Sequence, residues 1–175
     1  SLNGAQLSVL KNTQGEYRQV IAEGNPAHLT YVDPATQLTY QSTASRILYS
    51  FENDQINMSE DAEVIQLGDQ RRDTIRADSI FIQLAQKRLQ SLLATGDAVY
   101  REQSDTAKSV QANAQEIRFQ ANENRLEMYD THVQQGHEQY HAWKLIYYKE
   151  TGQIIVPPKE GERVRVISTI EDNHE

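Results

Sequence analysis

One short pattern recurs five times along the chain, and it constrains the fold more than any other feature. A small residue is followed by apolar residues three and five positions later, and successive copies start roughly 28 to 40 residues apart. Repeats of this length form units that bury their apolar faces only against neighbouring units. The chain is therefore predicted to be built from repeats. The copies are Gly4-Leu7-Val9, Ala44-Ile47-Tyr49, Ala77-Ile80-Ile82, Ala114-Ile117-Phe119 and Ala142-Leu145-Tyr147.

The spacing within each copy predicts a β-strand that bends. Side chains alternate between the two faces of a strand, so a step of three residues changes the face. In the third copy Ile75 and Ala77 share one face, whereas Ile80, Ile82 and Leu84 share the other. Such a change needs a bend or bulge, and a small residue there lets two sheets approach closely. The sequence therefore predicts an all-β fold, a jelly roll or folded-over sheet of antiparallel strands.

Polar segments predict where the strands end. Short turn signals that precede a second apolar stretch indicate hairpins. They are Asn53-Asp54, Asn122-Glu123-Asn124 and Thr151-Gly152. Longer polar segments over residues 11–16, 68–73 and 102–107 are predicted to be loops between repeats. The Gln-rich stretch from Ile82 to Ala94 is the one place where a helix competes with the strand prediction.

Composition limits the classes of function. The 175 residues suit one domain, predicted over residues 1–170 with a polar tail over 171–175. The mean hydropathy of −0.71 leaves no run of about 20 apolar residues that would span a bilayer. With no Cys, disulfides and Cys-ligated zinc are excluded. The net charge of −8 argues against nucleic acid as a partner, and it requires that any bound lipid be held mainly through apolar contacts.

One motif points to metal chemistry, but its context argues against it. His137-Glu138-Gln139-Tyr140-His141 fits H-E-x-x-H, which on a helix holds zinc between two His while the Glu acts as general base. Here Gly136 precedes the motif, and Ala142 opens the alternating fifth copy, which predicts a strand. On a strand, residues four apart are separated by about 13 Å, too far to share one ion. We therefore predict no metal, no cofactor and no catalytic residue.

Several motifs, taken in their order along the chain, resemble those of a known family. They are Ile75-Arg76-Ala77-Asp78-Ser79-Ile80, Arg88-Leu89, Ala94-Thr95-Gly96-Asp97-Ala98-Val99, Glu23-Gly24-Asn25-Pro26-Ala27 and Gly161-Glu162-Arg163-Val164-Arg165-Val166. Their order and repetition, from Leu2 to about Ile167, are similar to the OstA-like family of lipopolysaccharide-transport proteins, in particular its LptA-type members. The chain also begins within a repeat and holds one more unit downstream than that family leads us to expect.

The resemblance implies a fold, a ligand and partners. It implies a twisted β jelly roll, open along one side, whose apolar interior holds the lipid A acyl chains of lipopolysaccharide. It implies a periplasmic carrier that passes this lipid toward the outer membrane. It further implies edge-to-edge assembly with LptC-like and LptD-like β domains, and head-to-tail self-association.

Two sets of residues are predicted to carry these contacts. If two sheets part along one edge, their inward apolar stripes become a groove, in which each buried CH₂ contributes about 0.8 kcal/mol. The predicted lipid-contacting residues are Ile47, Tyr49, Ile80, Ile82, Ile117, Phe119, Leu126 and Met128. Unpaired terminal strands are templates for pairing with another chain. The predicted edge residues are Leu7, Val9, Val164 and Val166.

Other functions stay open on the sequence alone. The chain could be the N-terminal domain of an LptD-like protein, or a protein-docking β module without an open apolar interior. A glycan-processing β-solenoid enzyme also combines repeats with scattered carboxylates, although no convergent pair of carboxylates stands out. A zinc protease is the alternative that the H-E-x-x-H motif offers. Binding of lipopolysaccharide in the presence of a chelator discriminates among these.

Overall fold

β-Strands make up most of the part of the chain that the structure describes. A computed structural model describes residues 1–34, 36–68, 70–104 and 109–158, together with the backbone of residues 165–167. Its strands are β1 (Leu2–Asn3), β2 (Gln6–Lys11), β3 (Tyr17–Val32), β4 (Thr39–Ser50), β5 (Gln55–Leu67), β6 (Arg71–Ala85), β7 (Arg88–Ser104), β8 (Val110–Gln120), β9 (Arg125–Gln135), β10 (Glu138–Tyr148), β11 (Gln153–Val156) and β12 (Arg165–Ile167). One 3₁₀ turn, Ala121–Glu123, joins β8 to β9. Within these ranges there is no helix with the length and hydropathy to cross a bilayer.

All twelve strands belong to one antiparallel sheet. From β3 to β12 each strand pairs with the next one along the chain, whereas β1 and β2 both pair with β3. Among the described strands the sheet stays open, with β1 and β2 at one edge and β12 at the other. The prediction of an all-β antiparallel jelly roll, open along one side, is confirmed.

The long strands bend near their middles. The pairing register shifts between Ser59 and Ala62 on β5, and comparable shifts interrupt β3, β4, β6 and β7. Several bend residues, including Asp61, Gly96 and Asp130, have positive φ, a backbone conformation that breaks the regular pleat. The bends align across the sheet and divide it into two halves.

We call these halves leaf A and leaf B. Leaf A contains β1 with residues 27–32, 39–44, 62–67, 71–77, 98–104, 110–114, 131–135 and 138–142. Leaf B contains β2, β11 and β12 with residues 17–23, 46–50, 55–59, 79–85, 88–95, 116–120, 125–129 and 144–148. Side chains of both leaves point into the same interior, which is the single apolar core.

A row of alanines lines the inside of the bend. Paired across neighbouring strands are Ala27 with Ala44, Ala62 with Ala77, and Ala98 with Ala114, while Ala142 pairs with Thr131. All of these residues are buried. The methyl groups leave room for the two leaves to converge. The small residues of four copies, Ala44, Ala77, Ala114 and Ala142, therefore lie at the bend as predicted, whereas Gly4 of the first copy is exposed and lies outside this row.

The hairpins agree with the predicted turns, but two predicted loops are shorter than expected. The stretch from Ile82 to Ala94 is a hairpin whose turn residues Gln86 and Lys87 both have positive φ, so it contains no helix. The loop predictions for residues 68–73 and 102–107 were partly wrong, because β6 already begins at Arg71 and β7 continues to Ser104. Residues 105–108 and the predicted tail over 171–175 lie outside the described part of the chain.

We predict that Gly96→Ala destabilises the protein more than Gly152→Ala does. Both glycines have positive φ, so both substitutions cost about 1 kcal/mol in backbone strain. A Cβ at Gly96 would also lie 2.9 Å from the Asp78 Cβ, whereas one at Gly152 would meet nothing within 4 Å. The added crowding should lower the free energy of unfolding by about 1 kcal/mol more, measured by urea denaturation. Equal losses would contradict this account of the bend.

Candidate functional site

The inner face of leaf B carries two continuous cross-strand rows. Residues opposite one another in the register make up each row, so their side chains share a face. The first row is Leu7, Ala22, Ile47, Met58, Ile80, Ala94, Ile117, Met128 and Leu145. The second is Val9, Val20, Tyr49, Ile56, Ile82, Leu92, Phe119, Leu126, Tyr147 and Ile154. All eight residues predicted to contact lipid lie in these rows, and all but Tyr49 are buried.

A third row, on leaf A, faces these two and was not predicted from the sequence. It consists of Leu2, Leu29, Ser42, Val64, Ile75, Tyr100, Ala112, Val133 and Tyr140. Its signal in the sequence is the same alternation, on the other side of each bend residue. Apolar residues three and five positions after each small residue lie on only one side of the bend, so every predicted contact lies on leaf B.

The interior between the leaves is closely packed. Among the described residues, two small cavities of about 20 Å³ each have walls from both leaves. One is bounded by Val64 and Ile75 of leaf A and by Leu92 and Leu126 of leaf B. A space of this size holds about one water molecule. In this closed arrangement, the residues predicted to contact lipid form the core.

A larger opening, which we call the mouth, lies at the rim where the free ends of the leaves meet. Its volume is about 500 Å³, within the range of ligand pockets. Apolar side chains in its wall are Leu38, Tyr40, Leu89, Phe119 and Ala121; polar ones include Asp33, Gln66, Gln86, Arg88, Asn122, Asn124 and Glu150. Burial, and then the nearby Asp33 carboxylate, raise the pKa of Tyr40 to about 12, so its hydroxyl stays neutral. Phe119 and Leu89 connect this opening to the apolar interior.

A second group of polar side chains, the interleaf cluster, joins the leaves beside the mouth. It contains Arg71, Asp73, Tyr100 and Glu102 from leaf A with Tyr147 and Lys149 from the β10 end of leaf B. The Lys149 Nζ lies 2.5 Å from Asp73 Oδ2, and the Tyr147 hydroxyl donates to Glu102 Oε2 at 2.8 Å. Asp73, Glu102 and Lys149 are all less than a tenth exposed.

Asp73 and Glu102 lie in strands, although the polar segments that contain them were predicted to be loops. Polar residues in sequence suggest solvated turns, yet these two carboxylates point inward from strands. Within leaf A, the Arg71 guanidinium compensates the charge of both carboxylates. Its Nε lies 3.0 Å from Asp73 Oδ1, and its Nη2 lies 2.7 Å from Glu102 Oε2. Buried charges are tolerated when they are paired and hydrogen-bonded, as they are here. This pairing keeps a polar stretch inside the sheet.

Burial shifts the pKa values in the cluster. Loss of water raises the pKa of the Tyr100 hydroxyl well above its ordinary value, and the carboxylates of Asp73 and Glu102 add to the rise. The pKa of Tyr147 is raised for the same reasons, burial first and then Glu102. Burial lowers the pKa of Lys149, although the neighbouring Asp73 opposes that shift. Both tyrosine hydroxyls are therefore neutral donors at ordinary pH.

The H-E-x-x-H motif does not lie on a helix. Glu138 begins β10 and His141 lies within it, so the strand context predicted for the motif is confirmed. His141 pairs instead with His132 on β9, with 6.2 Å between ring centroids. Among the residues that the structure describes, no group of three or more His, Asp or Glu side chains is placed to hold a metal ion.

The predicted edge residues lie at opposite ends of the sheet. Leu7 and Val9 occupy edge strand β2, where they are 53% and 48% exposed although they belong to the inward rows. Val166 lies on terminal strand β12, opposite Ile155. Val164 lies outside the described residues. The structure adds one free edge that sequence reasoning missed: in leaf A, residues 138–142 of β10 pair only with β9 among the described strands.

We predict that the stability of the protein falls less steeply above pH 10 in Tyr147→Phe than in the unsubstituted protein. Because the folded pKa of Tyr147 is raised, its contribution is complete below the unfolded pKa of about 10 and is lost as the pH rises above it. Between pH 10 and 11 the free energy of unfolding should therefore fall by about 1 kcal/mol more in the unsubstituted protein than in Tyr147→Phe. Urea denaturation at each pH measures it, and equal slopes would contradict the assignment.

Comparisons with known proteins agree with this architecture. The sequence matches the family described as LptA/(LptD N-terminal domain) LPS transport protein over residues 1–84 and again over 68–153. No curated protein matches it significantly. The chain is similar to the crystal structure of LptH, the LptA homologous periplasmic component of the lipopolysaccharide transport device from Pseudomonas aeruginosa. The TM-score is 0.60 at 12% identity, covering 74% of this chain and 94% of LptH. At that identity the likeness concerns the fold, whereas the family match shows that the chain belongs to the LptA/(LptD N-terminal domain) family of LPS transport proteins.

Proposed function

We propose that this protein is a periplasmic carrier that holds the lipid A acyl chains of lipopolysaccharide between its two leaves and passes them along a chain of similar β domains. The observation that carries the proposal is the continuity of the inward apolar rows. The first row crosses leaf B from β2 to β10 without a polar residue, and the hydroxyls of Tyr49 and Tyr147 are the only polar groups in the second row, which continues to β11. A stripe of this kind suits extended acyl chains, which need length more than specific polar contacts.

Physical chemistry supports binding without charge attraction. With a net charge of −8, the protein as a whole repels an anionic lipid. Each CH₂ transferred from water to an apolar interior contributes about 0.8 kcal/mol, so several acyl chains offset that repulsion. Because the two cavities between the described parts of the leaves measure about 20 Å³ each, an acyl chain would need the leaves to separate there.

The mouth is the proposed place of entry. Acyl chains would pass Leu89 and Phe119 into the interior, while the head group would remain at the polar rim. The strands continue through the bend, so separation at the rim requires a hinge motion at the alanine row rather than loss of strand pairing. The lipid would then slide along the first row of leaf B, which contains no polar residue.

The uncovered ends of the rows support edge-to-edge assembly. Leu7 and Val9 face the interior side yet are about half exposed, because the sheet ends beside them. A second β domain that adds a strand at this edge would cover both side chains and extend the rows. The opposite end offers β12 and the free edge of β10 at residues 138–142. We propose head-to-tail contacts between copies, and equivalent contacts with LptC-like and LptD-like β domains.

A protein-docking module is the second candidate, because the interior is closed. If Ile80, Ile117 and Met128 serve only as core, the protein would join neighbouring β domains without holding lipid. Lipopolysaccharide binding separates the two candidates. We would titrate the chelator-treated protein against a fluorescent apolar probe and then displace the probe with purified lipopolysaccharide. Saturable displacement supports the carrier, whereas no displacement from folded protein favours the docking module.

We predict that Leu89→Glu weakens lipopolysaccharide binding at least about tenfold, because it places a carboxylate where acyl chains enter an apolar interior. Gln90→Glu is the matched control: it adds the same charge at the next residue, on the opposite and exposed face of β7. The control should bind as the unsubstituted protein does. Equal affinities for the two variants, with unchanged circular dichroism, would contradict the mouth as the place of entry.

We predict that the double substitution Leu7→Glu and Val9→Glu reduces self-association, because charges cannot be buried at an interface without partners. Sedimentation velocity over a range of concentrations measures the larger species. Gln90→Glu combined with Gln115→Glu adds the same two charges on outward faces away from this edge and should leave association unchanged. A double edge variant that associates as strongly as this control would exclude the β2 edge.

A further inference from the structure

The interleaf cluster is a polar exception in an apolar interior. It continues the inward row nearest the rim of leaf A, formed by Tyr31, Tyr40, Gln66, Asp73, Glu102, Val110 and Gln135. Asp73 and Glu102 are only 4% and 3% exposed, although the rim beside them opens to water at the mouth. Burial of two carboxylates at this position is unfavourable unless cationic or hydrogen-bonding groups compensate them. Some of these groups lie on leaf B, across the gap between the leaves, which we call the slit.

Four polar contacts of the cluster cross from one leaf to the other. Lys149 Nζ lies 2.5 Å from Asp73 Oδ2 and donates to Gln66 Oε1 at 3.2 Å. The Arg71 Nη1 donates to the Lys149 carbonyl oxygen at 2.9 Å, and the Tyr147 hydroxyl donates to Glu102 at 2.8 Å. All of them join β5, β6 and β7 of leaf A to the end of β10. The slit is thus closed there by hydrogen bonds and charge pairs.

The other side of the mouth is also bridged. The Tyr31 hydroxyl of leaf A donates to the Lys87 carbonyl oxygen, in the hairpin at the rim of leaf B. The mouth lies between this contact and the interleaf cluster. Widening of the interior at the rim therefore acts against both bridges, and four crossing contacts belong to the cluster.

Ionic contacts at this place have a property that apolar contacts lack. Burial removes the charges from water on closure, and this desolvation offsets much of their attraction, so the net closing energy is modest. When the leaves part, the same groups regain water. Apolar side chains at the rim would instead be exposed on opening and would hold the slit shut. A charged rim permits repeated opening.

We propose that Asp73, Glu102, Tyr147 and Lys149 form a clasp across the slit, and that closure of the clasp competes with occupancy of the interior by acyl chains. This inference rests on the proposed carrier function. It assigns to the cluster a role in the energetics of loading: the clasp holds the empty protein closed and must part when lipid widens the interior. Release of lipid restores the contacts.

The competition is testable with spin labels, because the chain contains no Cys of its own. Cysteines at Gln111 of leaf A and Gln90 of leaf B, both exposed on outward faces, carry the labels. The distance between the two labels is measured by double electron–electron resonance, with and without purified lipopolysaccharide.

Two variants weaken the clasp. Lys149→Met removes its cation, and Tyr147→Phe removes one crossing hydrogen bond while it retains the ring, in case the first variant does not fold. Arg76→Met is the matched control, since it breaks an exposed pair with Asp61 on the outside.

The clasp predicts that lipopolysaccharide lengthens the distance between the labels, and that Lys149→Met and Tyr147→Phe lengthen or broaden it without lipid. Both variants should also bind the lipid more tightly than the control, by about threefold or more, because less closing energy opposes loading. If the protein binds lipid but the clasp variants match Arg76→Met in label distance and in lipid affinity, the clasp is overturned and the carrier function stays intact. Clasp variants that open while no form binds lipid would overturn the carrier function, and the competition with it.

Discussion

The alanine row at the bend is the constraint on which the rest of the structure depends. A single antiparallel sheet can bury only one face, and this one does so by folding over itself. Large side chains at the inside of the fold would hold the leaves apart, because packed sheets are normally about 10 Å from each other. Methyl groups from Ala27 to Ala142 let the leaves converge. The inward rows on both leaves, and hence the interior, exist because the bend can close.

The inward side chains change from apolar at the bend to charged at the rim. Alanines come first, then the rows with Ile80 and Ile117, and finally Asp73 and Glu102 beside Lys149. On the proposed function, acyl chains would enter at the rim, where the contacts between the leaves are ionic, and would part the apolar rows that lie between the rim and the hinge at the alanines. Charged groups at the rim would regain water when the leaves part, so closure there would be reversible.

The open edges follow from the same architecture. A folded sheet that does not close into a barrel must leave two terminal strands, and exposed edges usually carry features that prevent pairing. Here β2 instead presents Leu7 and Val9, half exposed, at the end of the inward rows. An edge of this kind suits a partner that continues the sheet. Under the proposed function, such continuity would give a lipid that moves between domains an unbroken apolar surface.

Local patterns in the sequence determined the strands, the bends and the inward face of leaf B. Alternation and the three-residue step depend only on neighbouring residues and the geometry of one strand, so Ile47, Ile80 and Phe119 could be placed without a structure. The facing row on leaf A follows from the same rule and was missed because only one side of each bend was considered. The closed interior, the mouth and the interleaf cluster were decided by the tertiary structure alone. Arg71 and the Lys149 carbonyl lie 78 residues apart, and no local pattern shows that the two leaves bring them together. In sequence Asp73 resembles a loop residue; only the fold places Arg71 and Lys149 around its charge.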